Sequence, residues 1–300
     1  MIVNQANLHG LEVGYSTAFN KRLEEVNPNY QKVATVVPSA TGEQDYKWLG
    51  QMPNMKEWIG EREVQALAAY DYVIKNKKFE MTIGVPRDDI EDDKYGVYTP
   101  LFTSMGESAA LHPDDLVFGA MMMGFEEKCY DDKTFFSETH EIGGKTYSNR
   151  SNKKLSKESY MEARAAIMST TGDKGKSLKL VPDLLVVSPA LEEEAKLIVE
   201  AEQINGTTNV LRGTAKLHVE PILSENPAYW FLLCTNRFLK PFIYQIRRKI
   251  KFVSRNKDTD ENVFMRDEYL YGADGRSNTG YGFWQMAYGS TGESNTQAKG

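Results

Sequence analysis

The 300 residues suffice for one large domain or two modest ones, and a hydrophobic fraction of 41% with 26% charged residues describes a chain that folds. A net charge of −6 argues against a dedicated nucleic-acid binder, which needs a basic surface, although an acidic protein can face DNA without gripping it. Cys129 and Cys234 follow no metal or redox spacing, and neither a signal peptide nor the roughly 20 apolar residues of a membrane span is present, so the expectation is a soluble protein made inside a cell.

The first helical candidate runs from Ser16 to Val26, where Ser16 can cap, Phe19, Leu23 and Val26 share a side, and Asn27-Pro28 stops the helix. Tyr30 to Arg62 reads as extended pieces joined by turns, β-prone at Val33 to Val37 and turn-rich from Pro38 to Gly42. After it, Phe79, Met81, Ile83 and Val85 alternate strictly with other residues, a period-2 strand signal. Together these predict a long antiparallel hairpin that projects from the body. An isolated two-stranded hairpin is marginal in water, so its large side chains are expected to lie on a neighbouring subunit. The residues expected at that contact are Tyr46, Trp48, Met52, Met55, Trp58, Arg62, Tyr70 and Tyr72. The alternative is a sheet packed on its own core.

The run Asp88 to Asp93 lacks the Gly and Glu of a calcium loop and reads as a solvated acidic turn before a helix. That helix spans about Thr99 to Glu127, with an apolar stripe through Leu101, Phe102, Met105 and Ala109, an interruption at His112-Pro113, and a more buried second half. Met121 to Met123 suit core packing better than metal ligation. Gly143-Gly144 marks a hairpin turn, and Leu155 to Thr171 is helical by its spacing. Arg150, Lys153, Lys154 and Lys157, with Arg164, Lys174 and Lys176 nearby, form a basic stretch that could face DNA, an acidic neighbour or only solvent.

Leu180 to Ser188 predicts a buried strand, Ser188 and Pro189 a helix start, and Leu191 to Glu202 the helix. Asn205-Gly206 is a turn, and Leu217 to Leu223, Trp230 to Cys234 and Phe242 to Val253 are strand-like. The tail from Gly289 is small and polar, with the composition of a disordered end.

No phosphate loop, dinucleotide fingerprint, zinc spacing or nucleophile elbow occurs. His140 with Asp131, Asp132 and Cys129 is the one set worth weighing as a catalytic or metal cluster, and its spacing matches no helix face or known ligand arrangement. No catalytic, metal or cofactor-binding residue is therefore assigned, no cofactor is expected, and the chain is read as a structural protein, not an enzyme. A rival reading is a soluble hydrolase using His140 with Asp131 or Asp132; another structural role, as a tail or tube component, is the alternative to the function that the resemblance below implies.

Tyr46-Lys47-Trp48-Leu49-Gly50, Pro53 and Glu57-Trp58-Ile59-Gly60-Glu61-Arg62, followed by Asn76 to Glu80, Asp88 to Asp93, His112-Pro113, Gly124-Phe125, Cys129 to Asp131, Phe135-Phe136 and His140, resemble the Mu-like bacteriophage major head subunit family. The resemblance is specific from about residue 15 to 145 and more diffuse afterwards, in Asp183 to Glu202 and Gly282-Phe283-Trp284. It implies an α+β, HK97-type capsid fold. The implied parts are an N-terminal arm (1–32), an extended hairpin loop (33–84), and a peripheral domain (85–180) whose spine helix spans about 99–127. An axial domain (181–241) follows, then a return strand with remaining elements and a flexible tail (242–300). The implied function is a major capsid protein that self-assembles into pentamers and hexamers around phage DNA. Implied partners are further copies of itself, a separate scaffold protein, the portal, a decoration protein, and packaged double-stranded DNA held non-specifically, with no membrane. The implied location is the virion capsid, assembled in the bacterial cytoplasm. A fused scaffolding domain is not expected, because the matched region begins close to the N-terminus.

Overall fold

In the computed structural model, which describes residues 4–46, 49, 71–92, 94–172, 175–204, 206–257 and 259–292, the chain opens with helix α1, Gln5–Glu25. It starts well before Ser16 because Asn4 caps it, accepting from the Asn7 N–H at 2.9 Å. Leu8, Tyr15 and Phe19 make a buried face, while Gly10 and Gly14 lower the local helix propensity and hide the first half of the helix from a sequence reading.

The strands β1 (Ala34–Pro38), β2 (Glu43–Asp45), β3 (Val73–Lys75) and β4 (Lys77–Pro86) follow. Short helix α2 (Arg87–Glu91) takes up the acidic run with Asp88 and Asp89 in its first turn. Helix α3 (Thr99–Met123) runs unbroken through Pro113, contrary to the expected interruption. A mid-helix proline removes one N–H donor, and here the next residue ties the helix down. Asp114 is buried and accepts from the N–H groups of Asn29 at 2.9 Å and Tyr30 at 2.6 Å.

Strands β5 (His140–Ile142) and β6 (Lys145–Tyr147) meet at Gly143 and Gly144, whose φ values of 56° and 76° form the tight turn their sequence signals. Then come β7 (Arg150–Ser151), α4 (Lys157–Ser169) behind a Ser156–Ser159 capping box, and β8 (Leu184–Val187). Ser188 does not cap a helix. Its hydroxyl donates to the Pro227 carbonyl, a 3-10 turn covers Pro189–Leu191, and α5 spans only Glu192–Val199. The remaining elements are β9 (Gln203–Ile204), β10 (Thr207–Thr208), β11 (Lys216–Val219), β12 (Trp230–Leu233), β13 (Phe242–Arg255), α6 (Glu261–Arg266), β14 (Glu268–Tyr281) and β15 (Ala287–Ser290).

Two sheets organise these elements. A four-stranded sheet has the order β1-β13-β14-β4, with β1 parallel to β13 and the other pairs antiparallel. A five-stranded sheet has the order β11-β8-β12-β15-β7. Strand β7 and helix α4, expected in the peripheral part, belong with the five-stranded sheet: β7 pairs with β15, and α4 packs on β12 and β15. Gly289 and Ser290, expected in a loose tail, lie in β15 and are buried.

Two hydrophobic clusters match the two sheets. Helix α1 and the first half of α3 pack on the four-stranded sheet through Leu8, Phe19, Phe102, Met105 and Tyr271. Helix α1, within the expected N-terminal arm, thus packs on the body through Leu8, Tyr15 and Phe19. The second half of α3, through Val117, Phe118 and Met121, joins the larger cluster built on β8 and β12. The α1–α3 crossing is set by Gly106, where an added Cβ would come within 2.4 Å of the Phe19 carbonyl oxygen. Gly106→Ala is therefore expected to cost about 1–3 kcal/mol by overpacking. Gly119→Ala, on the same helix with nothing near its Cβ position, is expected to add about 0.5–1 kcal/mol of stability. Urea denaturation of both variants checks the contrast.

Candidate functional site

The described part of the expected hairpin is its root. Strand β2 pairs antiparallel with β3, and the Tyr46 N–H donates to the Tyr72 carbonyl at 2.9 Å to continue the ladder. Tyr46 is expected from the sequence to face another subunit. It is instead buried in its own, its hydroxyl donating to Gln245 Oε1 at 2.8 Å. Gln245 lies on β13, fully buried, and its amide donates to the Ile74 carbonyl at 3.1 Å and to Asn76 Oδ1 at 2.8 Å. Asn76 in turn donates to Ser39 Oγ and to the Thr41 and Gly42 carbonyls. Tyr72 is likewise turned inward: its hydroxyl accepts from the Tyr281 N–H at 2.8 Å. Burial pushes both tyrosine hydroxyls well above their ordinary range, so each stays a neutral donor and acceptor. Gly280 makes room for the root, because a Cβ there would sit 2.5 Å from Ile74 Cδ1.

Tyr46 is thereby corrected from an outward contact to an anchor, and half-buried Tyr72 anchors the root beside it. Aromatic character marked them as important, but it could not distinguish a contact on the next subunit from a plug in the subunit's own core. Trp48, Met52, Met55, Trp58, Arg62 and Tyr70 lie outside the described residues. Gln245, which ties the root together, gave no signal beyond its place in an apolar run.

The basic stretch is brought together only in part. Arg150 packs its guanidinium 5.4 Å from the centroid of the Phe125 ring, and Lys153 pairs with Glu162. Lys154 and Lys157 are exposed.

The histidine cluster is real and closed. His140 Nδ1 lies 2.6 Å from Asp131 Oδ2, its Nε2 lies 3.2 Å from the Phe135 carbonyl, and its ring stacks on Trp284 at 4.0 Å. The Cys129 thiol donates to Asp131 Oδ1 at 3.1 Å. Burial and the Asp131 charge push that thiol well above its ordinary value, so it is a hydrogen-bond donor rather than a thiolate ligand. These three side chains are near enough to share a cation, but each already spends its polar atoms on another. Asp132 sits in a left-handed turn at φ 61° and forms no hydrogen bond with His140 among the described residues. With both ring nitrogens engaged and no exposed surface, His140 has the geometry of a core bracket, not of a general base.

A second polar group, unsuspected from scattered residues, joins α3 to the five-stranded sheet. His218 on β11 bridges Glu220 at 3.0 Å and Lys32 at 3.3 Å, with its ring 5.7 Å from Phe118 of α3. Burial and the nearby Glu220 and Asp115 charges push the Asp114 carboxyl up, against the pull of its two N–H donors. No described helix is long and apolar enough to cross a membrane.

The sequence matches the family of the Mu-like prophage major head subunit gpT across residues 8–153, 146–223 and 221–299. The chain belongs to that family. It is 34% identical over 293 residues to the major capsid protein of Escherichia phage Mu, covering 98% of this chain and 76% of that one. The procapsid subunit of bacteriophage JBD30 is 35% identical with a TM-score of 0.63, over 98% of this chain and 78% of that one. The capsid structure of cyanophage P-SCSP1u shares only 11% identity yet superposes with a TM-score of 0.57, over 86% of this chain and 85% of that one. The fold of this family member is the α+β, HK97-type capsid fold, and the chain is a major head subunit.

Gln245→Leu removes the acceptor of the Tyr46 hydroxyl and the two donations to Ile74 and Asn76 and should cost about 2–3 kcal/mol, whereas Tyr46→Phe should cost about 1 kcal/mol; chemical denaturation of the unassembled subunit separates them. Burial pushes the Asp131 carboxyl up, but His140, the Cys129 thiol and the Lys133 N–H more than offset it and hold it below the carboxylate range. A depressed folded value gives stability that is complete above the unfolded pKa of about 3.9 and lost as pH falls through the folded one. Asp131→Asn should thus be less stable than wild type at neutral pH, and the gap in urea midpoint should close below about pH 4.

Proposed function

We propose that copies of this chain tile as pentamers and hexamers into the wall of a phage head that encloses double-stranded DNA, with the hairpin of each copy laid on its neighbour. The single observation that carries the lapping role is the hairpin root. Both of its ends are fixed in the subunit's own core, by Tyr46 on one side and Tyr72 on the other. A root braced by a buried polar network holds whatever extends from it at a fixed angle to the sheet, as a repeated contact between identical subunits requires. The axial role falls to the five-stranded sheet with α4 and α5, and the peripheral role to the four-stranded sheet with α1 and α3. A scaffold protein, the portal and a decoration protein are the partners a closed shell of this kind uses, and assembly takes place in the host cytoplasm before the subunit is part of the virion. Arg150, Lys153, Lys154 and Lys157 are proposed for the inner face on the strength of their charge alone.

The hydrolase alternative has no observation in its favour, since His140 is buried with both nitrogens engaged. Removal of residues 51–69 tests the function, with Tyr46, Leu49 and Tyr72 kept because they belong to the core. The shortened chain is expected to be soluble, to melt within about 5 °C of wild type, a shift of roughly 1–2 kcal/mol for a chain of this size, and to form no closed shells in electron micrographs. Normal shells from that variant would refute the lapping role. Tubes or open rings from the unaltered chain would favour a tail component instead.

A further inference from the structure

The open face of the four-stranded sheet carries a row of three cations in register. Lys78 of β4 stands in register with Arg276 of β14, and Arg276 in register with Arg248 of β13. Residues directly opposite on adjacent strands share a face and sit about 5 Å apart, and like charges so placed repel. The face is the one turned away from α3. Phe79 and Gly275, the alternate positions, line a cavity with His112 of α3, so Lys78 and Arg276 point the other way. Arg248 is fixed on that side by its ion pair with Asp274, at 2.9 Å.

The strand is bent to crowd these charges. Register shifts on either side of Arg248, between Ile246 and Lys251, insert extra residues into β13. Arg247, Arg248 and Lys249 are all exposed as a result. Neither Lys78 nor Arg276 has an ion pair among the described residues, and Arg276 Nε is buried without a hydrogen-bond partner. The row lies beside the hairpin root, where a Cβ on Gly42 would come 3.7 Å from the Arg276 guanidinium.

We infer that the row Lys78–Arg276–Arg248 is a contact site that receives carboxylates of a second copy of this chain. The inference rests on the shell-forming reading above and adds to it the chemistry of one contact. Charge complementarity selects the occupant. Each copy carries a net charge of −6, so acidic side chains outnumber basic ones on the neighbour that this row would meet. The alternative polyanion, a nucleic-acid backbone, fits less well, because the next row along the strands is Glu80–Asp274–Lys251. A regular line of phosphates lying on this face would meet those two carboxylates, whereas a protein surface can present charges that alternate with them.

The test uses the full chain in its own head-assembly background, with Lys78→Gln alone and combined with Arg276→Gln. Three things are read: the melting temperature of the unassembled subunit, the yield of closed shells by sedimentation and electron microscopy, and the DNA content of the particles. Neutralising a repulsive row should leave the melting temperature unchanged or raised, while shell yield falls at least tenfold. Lys78→Glu should assemble less well than Lys78→Gln. Normal shell yield from the double variant overturns the inference, and normal shells with reduced DNA assign the row to nucleic acid instead, which also overturns it. If the double variant fails to fold, Lys78→Gln decides alone, since Lys78 is an exposed side chain and a normal shell yield from it contradicts the contact. Absence of shells from the unaltered chain would instead refute the shell-forming reading itself.

Discussion

One helix belongs to both hydrophobic cores, and the relation between the two halves of the molecule depends on it. The first part of α3 buries Phe102, Met105 and Ala109 against the four-stranded sheet, and the last part buries Val117, Phe118 and Met121 in the cluster of the five-stranded sheet. A chain with two separate cores and a flexible linker would leave their relative orientation free. Here a continuous 25-residue helix sets it. Pro113 sits where α3 passes from one core to the other, and the lost helical donor is accompanied by Asp114, which binds two backbone N–H groups of the connection from α1 to β1. The same handover occurs in the sheet. Strand β13 contributes Phe242, Ile243 and Tyr244 to the larger cluster and packs Ile250 and Phe252 on the smaller, with its bulged segment between them.

Polar groups inside this frame are used as brackets rather than as reagents. Gln245, Asp114, His140 and Glu220 are each buried, and each is bonded to parts of the chain distant in sequence or to a tight local turn. Buried polar groups are costly unless fully satisfied, and when satisfied they favour one arrangement over its near alternatives. A subunit that must fit identical neighbours needs that uniqueness at the hairpin root and at the joint between the sheets. The cysteines follow the same logic: both are buried, and burial pushes the Cys234 thiol up to about 12.

Strong local signals were legible in the sequence. The alternation from Phe79 to Val85, the Gly143-Gly144 turn, the helix behind Ser156 and the apolar strand around Leu185 all fold as their patterns indicate. What escaped did so for physical reasons. Strand β14 pairs with both β13 and β4, yet Gly272-Ala273-Asp274-Gly275-Arg276-Ser277-Asn278 carries no apolar alternation, because the two neighbouring strands supply the ladder that its side chains do not advertise. The first half of helix α1 was hidden by its glycines, and β15 by small residues that fill a narrow place against Phe125 and Phe136. Sequence alone could not show that Tyr46 is buried in its own subunit and that the Tyr72 hydroxyl bonds the Tyr281 N–H.

The central claim is that a rigid two-sheet body holds a hairpin whose root is fixed and whose far part serves the next subunit. A cryo-electron reconstruction of particles formed by the full chain tests it most directly. The account predicts closed shells in which α3 keeps its place in both cores, Tyr46 and Gln245 remain bonded, and residues 51–69 lie on an adjacent copy. Density for that segment folded back on its own subunit, or particles without closed shells, would contradict it.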